Sequence, residues 1–408
     1  MATDGAATVA ETARADATTA ARKGERDGVG RPATKPPEAR GLARDEVRLL
    51  VAGDGVLHHA RFRDLPRFLR RGDLLVVNTS ATLPAAIGAR RMDGREAVVH
   101  FSTALDDGRW VIEVRPPSRA TGPVEDAARN EELVLSGGAA LRLVEPYPDA
   151  SAASTRLWLA SVPGAGVATG HREERSDEAI STPRNRDRFA ALAMTPGEPS
   201  TTSSDVVAML NRHGRPIAYA YVDGRWPLAS YQTVFARHPG SAEMPSAGRP
   251  FSRRLVAQLL TAGVEIAPVL LHTGVSSLEH GEAPLPERFE VSAATAARIE
   301  SANREGCRVI AVGTTAARAV ETVAVADGTV HAGAGWTDLL LGPDRPARIV
   351  DGIVTGWHEP GSSHLRLLES IAAPETVRRA YREALAAGYL WHEFGDSALL
   401  MRSESRSR

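Results

Sequence analysis

Two patterns of apolar and polar positions divide the chain. From Ser252 onward, short apolar runs alternate with stretches whose apolar residues recur every three or four positions. The run Arg308-Val-Ile-Ala-Val312 has the continuous apolar character of a strand covered on both faces. Gly313 breaks it, and Thr314 or Thr315 is placed to N-cap a helix carrying Ala316, Ala319, Val320 and Val323 at helical spacing. Ser252 and Ser292 open two further helices, stopped by Gly263 and Gly306, and Ser362 and Pro374 open the last two, with Gly388 ending the second. Strands fall at Val264 to Leu271, Asp338 to Leu341 and Arg348 to Thr355, and Pro268 demands an edge position or a bulge because it lacks a ladder donor. Near the start, Val47 to Val51 and Val56 to Ala60 flank Gly53-Asp54-Gly55 as a hairpin. Asp64 is placed to cap a short helix that stops at Gly72, before a strand over Leu74 to Val77.

Between Pro84 and Val162 the pattern changes to short alternating runs with no amphipathic helix: Glu96 to Phe101, Trp110 to Val114, Glu132 to Leu135, Leu141 to Val144 and Leu157 to Leu159. That is the signature of a small antiparallel barrel or sandwich. The expected fold class is therefore α/β, a main α/β sheet domain formed by residues 41–84 and 205–402 with an inserted antiparallel β-barrel-like domain over 85–163. Residues 1–40 are too poor in large apolar side chains to offset the entropy of ordering and read as a disordered tail, and the polar stretch 164–204 reads as a mobile loop.

Composition narrows the chemistry. Among 408 residues the net charge is −1, so any nucleic-acid partner has to meet a local basic patch. The lone cysteine, Cys307, excludes an intramolecular disulfide, and no apolar run reaches the roughly 18 residues of a membrane span, so a cytoplasmic location is expected with no membrane partner. Histidine and cysteine spacings match no metal motif, and neither a GxSxG elbow nor a phosphate-binding GxxxxGK loop occurs.

Polar residues gather just after the strands: His272 and Thr273, then Gly313, Thr314 and Thr315, then His358. Loops at the carboxyl edge of one sheet would bring them together around a polar small molecule. Tyr231-Gln232-Thr233 reads equally as a binding segment and as a half-buried strand edge, and Asp396 after Gly395 as a turn or cap.

Taken in order, the motifs resemble the S-adenosylmethionine:tRNA ribosyltransferase-isomerase family of queuosine biosynthesis. The matching stretches are Arg63 to Ile87, Tyr231 to Ser252, Gly263 to Gly274, Pro286 to Val291, Arg308 to Thr322, Thr355 to Leu365 and Tyr389 to Leu400. The resemblance implies S-adenosylmethionine as the ribosyl-donating substrate and no metal. It also implies tRNA as partner, in a monomer or weak homo-oligomer. The implied reaction transfers the ribosyl part to a 7-aminomethyl-7-deazaguanine and rearranges it to epoxyqueuosine. His272, His358 and Arg318 are then the candidate catalytic residues. Tyr231, Gln232, Thr233, Thr273, Gly313, Thr314, Thr315, Glu287 and Asp396 are the candidate binding residues. The sequence also departs from the family pattern: Ala81 and Ala86 stand where the family carries arginine, Pro250 and Leu285 where it carries histidine, Arg288 where it carries an aromatic residue, and Gly356-Trp357 where it carries Asn-Phe. Losing two guanidinium forks removes two carboxylate or phosphate contacts. Two alternatives thus stand beside the family reaction: a paralogue using S-adenosylmethionine or a related nucleoside on a small acceptor, and a non-catalytic binding protein.

Overall fold

The computed structural model describes residues 30–118, 122–152, 155–163, 202–275, 285–359 and 362–403. Of the tail expected over residues 1–40 and the loop expected over 164–204, residues 1–29 and 164–201 lie outside the described residues, and Ser203 and Ser204 at the end of the loop open the helix Ser203–His213 instead.

The strands, in chain order, are β1 (Arg48–Gly53), β2 (Val56–Arg61), β3 (Leu74–Asn78), β4 (Ser80–Thr82), β5 (Ala86–Arg91), β6 (Glu96–Ala104), β7 (Trp110–Arg115), β8 (Glu132–Leu135), β9 (Ala140–Tyr147) and β10 (Leu157–Ser161). There follow β11 (His238–Ser241), β12 (Glu265–Leu271), β13 (Glu287–Val291), β14 (Val309–Val312), β15 (Gly333–Thr337), β16 (Gly352–Gly356) and β17 (Ser397–Met401). The α-helices are α1 (Ser203–His213), α2 (Arg253–Thr261), α3 (Ala293–Arg304), α4 (Thr314–Thr322), α5 (Ser363–Ile371) and α6 (Pro374–Ala386).

Nine strands form one mixed sheet in the order β15-β13-β12-β3-β14-β16-β17-β1-β2. Its centre, β12-β3-β14-β16, is parallel throughout, so four carboxyl ends leave the sheet at one edge. Alternation on β3 and β14 fills two cores: Leu74, Val76, Val309 and Ala311 pack with α3 to α6, whereas Leu75, Val77, Ile310 and Val312 pack with Phe251, Leu255 and Leu259. Strands covered on both faces need no polar position, which is why they are continuous apolar runs in the sequence. β5 to β10 close into a six-stranded antiparallel barrel between β4 and α1, with Phe101 edge-on to Trp110 at 5.5 Å inside it. No helix among the described residues is long and apolar enough to cross a membrane.

Several local expectations need correction. Gly30 to Arg40 are packed rather than tail-like: Ala33 is 1% exposed and its N–H donates to the Trp391 carbonyl at 3.0 Å. The segment from Phe62 to Arg67 is a 3-10 helix, and the Asp64 carboxylate accepts the Arg61 N–H at its entry. Gly313, at φ 91°, rather than either threonine is the N-cap of α4. Asp338 to Leu341 is not a strand, and the strand expected from Arg348 begins at Gly352. The buried Glu321 carboxylate accepts the N–H groups of Arg348, Ile349 and Val350 at 2.8, 2.8 and 2.9 Å, so those donors cannot join a ladder. Pro268 lies on an interior strand, yet β13 pairs with β12 only at Leu270 and Leu271, which leaves the proline on a locally free edge.

Candidate active site at the carboxyl edge

The four parallel carboxyl ends carry a continuous row of polar side chains. On β12, His272 follows the last apolar residue and its Nδ1 lies 2.7 Å from Ser80 Oγ. Ser80 Oγ is 2.6 Å from Ser241 Oγ, which accepts the Thr273 N–H at 3.0 Å. Gly240 lies against the His272 ring so closely that a Cβ there would fall 2.4 Å from it. The next member, Asn78, closes β3 and is fully used: its Nδ2 donates to the Leu271 carbonyl and to Thr315 Oγ1, and its Oδ1 accepts the N–H groups of Ser80 and Leu271. Asn78 therefore ties β12, β3 and the start of α4 into one unit.

Thr314, beside Thr315, lies 3.3 Å from His364 Nδ1, and the His364 ring stacks on His358 at 4.2 Å and 9°. His358 Nε2 is 3.5 Å from Thr355 Oγ1 at the end of β16. His272, Thr273, Gly313, Thr314, Thr315 and His358 thus share one edge, linked by Asn78, Ser80, Ser241 and His364. Sequence reading took none of those four linkers as a site residue. Asn78 had a signal, a polar amide ending an apolar strand, whereas the serines had none.

Burial is the electrostatic theme. It lowers the His272 pKa to about 4, with Arg288 and His238 adding to the effect, and that of His364 to about 4, with Arg318 adding. His358 is held well below the ordinary imidazole value by burial and then by His364 and His392. All three rings are neutral at physiological pH, able to accept a proton or donate one N–H.

The other candidates have structural partners. Arg318, one turn along α4, donates to the carbonyls of Leu339 and Thr337 and to the Glu287 carboxylate. Glu287 has its pKa raised by burial, against the pull of Arg318. Gln232 clamps the Thr82 backbone from both sides, its Oε1 accepting the N–H and its Nε2 donating to the carbonyl. Thr233 Oγ1 accepts the Phe235 N–H. Asp396 accepts Arg48 N and Nε and Leu390 N, which pins β17 to the N-terminus of β1. These contacts make Gln232, Thr233 and Asp396 parts of the framework around the edge.

Beside the row lies a cavity of about 370 Å³. One wall is the outer face of the barrel pair β6 and β7, presenting Val98, His100, Glu113 and Arg115; the other is the segment Arg215 to Tyr221. Of the candidate residues only Tyr231 lines it. Neither His272 nor His358 does, but both are near its margins. Thr273 Oγ1 donates to the carbonyl of Glu243, a lining residue. At the other end the lining Tyr221 stacks on His392 at 4.4 Å, and the His392 N–H donates to the carbonyl of Trp357, the residue before His358, at 3.3 Å. Ala86 lines the cavity at one position of the missing arginines, and its backbone exchanges hydrogen bonds with Arg215 at 2.8 and 2.9 Å. Arg249 and Arg288 are engaged elsewhere, with Glu38 and Asp106.

A mixed sheet whose parallel centre carries buried histidines along its carboxyl edge, with a cavity alongside, is the arrangement found in α/β enzymes. Comparison with known proteins identifies the kind. The family model described as queuosine biosynthesis protein matches residues 30–400. Similar proteins named S-adenosylmethionine:tRNA ribosyltransferase-isomerase occur in Moorella thermoacetica, 34% identical and covering 88% of this chain and 94% of that one, and in Symbiobacterium thermophilum, 32% identical and covering 90% and 96%. A crystal structure of S-adenosylmethionine tRNA ribosyltransferase from Thermotoga maritima is 24% identical, covers 91% of this chain and 96% of that one, and superposes with a TM-score of 0.45. The chain belongs to the queuosine biosynthesis protein family.

Proposed function

We propose that this enzyme transfers the ribosyl part of S-adenosylmethionine to the aminomethyl group of a 7-aminomethyl-7-deazaguanine in tRNA and rearranges it to epoxyqueuosine, releasing adenine and methionine. Cytoplasmic tRNA is the matching compartment for such a substrate. The observation that carries this reading is the neutral His272 fixed by Ser80 at the edge of the sheet. The sulfonium of S-adenosylmethionine acidifies its adjacent C5′ protons, and removing one requires an unprotonated base within reach. With Nδ1–H donating to Ser80 Oγ, the His272 Nε2 lone pair is the base. The second neutral pair, His358 and His364, supplies N–H donors where charge develops on the departing groups. Arg318 acts by fixing α4 through Glu287, a positioning role.

The test is to incubate the protein with S-adenosylmethionine, with and without tRNA bearing the deazaguanine, and to follow adenine and methionine. Release only with tRNA is expected. Release without tRNA shows cleavage of S-adenosylmethionine independent of tRNA and favours the paralogue reading, and binding without release makes the chain a binding protein.

A further inference from the structure

The cavity wall on the barrel holds a charge cluster that the edge chemistry does not use. Register places His100 directly opposite Glu113, and Val98 opposite Arg115, all four on the face turned to the cavity. Glu113 is only 2% exposed, with Arg115 Nη1 at 3.1 Å from its Oε2, Arg156 Nη1 at 3.3 Å from its Oε1 and His100 Nδ1 at 3.5 Å. Burial raises the carboxyl pKa, but His100 and Arg115 outweigh it and keep the group ionised. A carboxylate offers about four acceptor sites, and of these contacts only those from Arg115 and Arg156 are hydrogen bonds, one to each oxygen, so each oxygen keeps room for one more donor.

Two further observations point to a polar, flat ligand. Tyr219 and Tyr221, both lining the cavity, stack on each other at 5.6 Å and continue onto His392, an aromatic surface against which a base can lie. The Tyr219 hydroxyl and the Trp226 indole N–H are buried without a hydrogen-bond partner among the described residues, and both residues line the cavity. Native proteins rarely leave such groups unmet.

We propose that the cavity receives the extruded deazaguanine base of the tRNA and that Glu113 is its specificity-determining residue, accepting from ring N1–H and the 2-amino group while Arg115 donates to O6. A 2-amino-6-oxopyrimidine edge presents two adjacent donors and one acceptor, and a carboxylate flanked by a guanidinium is its complement. An adenine edge offers only one donating group and leaves a carboxylate oxygen unmet. Enzymes acting on a base within folded nucleic acid read it in this way after turning it out of the stack.

The inference rests on the function proposed above, and its test separates the two. Affinities of the full chain are measured, without S-adenosylmethionine, for tRNA carrying 7-aminomethyl-7-deazaguanine and for the same tRNA carrying the 2-deamino analogue. The wild type should prefer the 2-amino form by about tenfold or more, the usual worth of a hydrogen bond to a charged group. Glu113→Gln should reduce the preference to within about twofold. Equal wild-type affinities, no measurable binding, or a preference surviving in Glu113→Gln overturns the proposal. Should that variant not fold, Ala218→Phe fills the cavity while leaving the charge cluster intact, and a preference it retains also overturns the proposal. Adenine release is followed on the same tRNA: turnover without base preference sinks this inference alone, and base preference without turnover sinks the reaction alone.

Discussion

Lowering the pH from 7 to 5 should destabilise the folded protein through His272 and His364. In the unfolded chain each imidazole takes up a proton as the pH falls below 6.5; in the folded protein each does so only near pH 4. Between those limits the unfolded state binds more protons, so stability is complete above pH 6.5 and drains away toward 4. At pH 5 the difference is about 2 kcal/mol per ring, from 1.36 kcal/mol per pH unit, and about 4 kcal/mol for the two. His358 acts in the same direction. Glu287, with its raised pKa, acts in the opposite one, gaining stability as the pH falls through its folded value. A loss of this size is a large fraction of the roughly 5–15 kcal/mol typical of a folded domain. Urea unfolding monitored by fluorescence of the buried Trp110, Trp357 and Trp391 measures it. The control is the double variant His272→Gln, His364→Gln, which keeps Glu287 and every other carboxylate, so subtraction isolates the rings. If that variant loses as much stability between pH 7 and 5 as the wild type, the imidazoles are already protonated or well hydrated in the native protein, and the argument for a neutral base collapses with them.

Other substitutions separate chemistry from support. Gly240→Ala brings a methyl group onto the His272 ring and should cut turnover about a hundredfold by displacing the base, with circular dichroism unchanged; normal turnover refutes the assignment. Asn78→Ala strands several buried groups and should cost about 3 kcal/mol in denaturant unfolding, together with activity. Arg318→Met leaves the Glu287 carboxylate buried without its cation and should cost about 3–5 kcal/mol, much of it regained when Glu287→Leu is added; an additive double mutant contradicts the clamp. Asp396→Asn should lower Tm while leaving the KM for S-adenosylmethionine unchanged, since Arg48 and Leu390 occupy its oxygens.

What could be read from the sequence follows from the range of the interactions involved. Ser252 and Ser292 were legible as caps because the bond each makes closes within three residues, to the N–H of Leu255 and of Thr295. The β1–β2 hairpin was legible for the same reason, with Asp54 and Gly55 both at positive φ between the strands. Reading failed where a distant group took over. Arg348 to Val350 have a strand's composition, but Glu321, on the preceding helix, captures their amides. β5 holds Gly88 and a polar end, and it becomes a strand through pairing with β6 and β8. At the site, His272 and His358 stood out as polar residues behind apolar strands, yet the group that fixes His272 comes from afar: Ser80 lies 192 positions away, and Ser80's own partner Ser241 161 positions from it.

The cavity shows the limit in its sharpest form. Along β6 and β7 the alternation of apolar and polar residues marks one face as interior and the other as outward, and on a free barrel His100, Glu113 and Arg115 would belong to water. The segment Arg215 to Tyr221, bridged to Ala86, lies across that outward face and turns it into a wall. A buried carboxylate with cationic partners then replaces a solvated one, and its selectivity for donors depends on water being excluded. Periodicity encodes which side of a strand is polar; only the packing of the second body decides whether that polarity meets solvent or substrate.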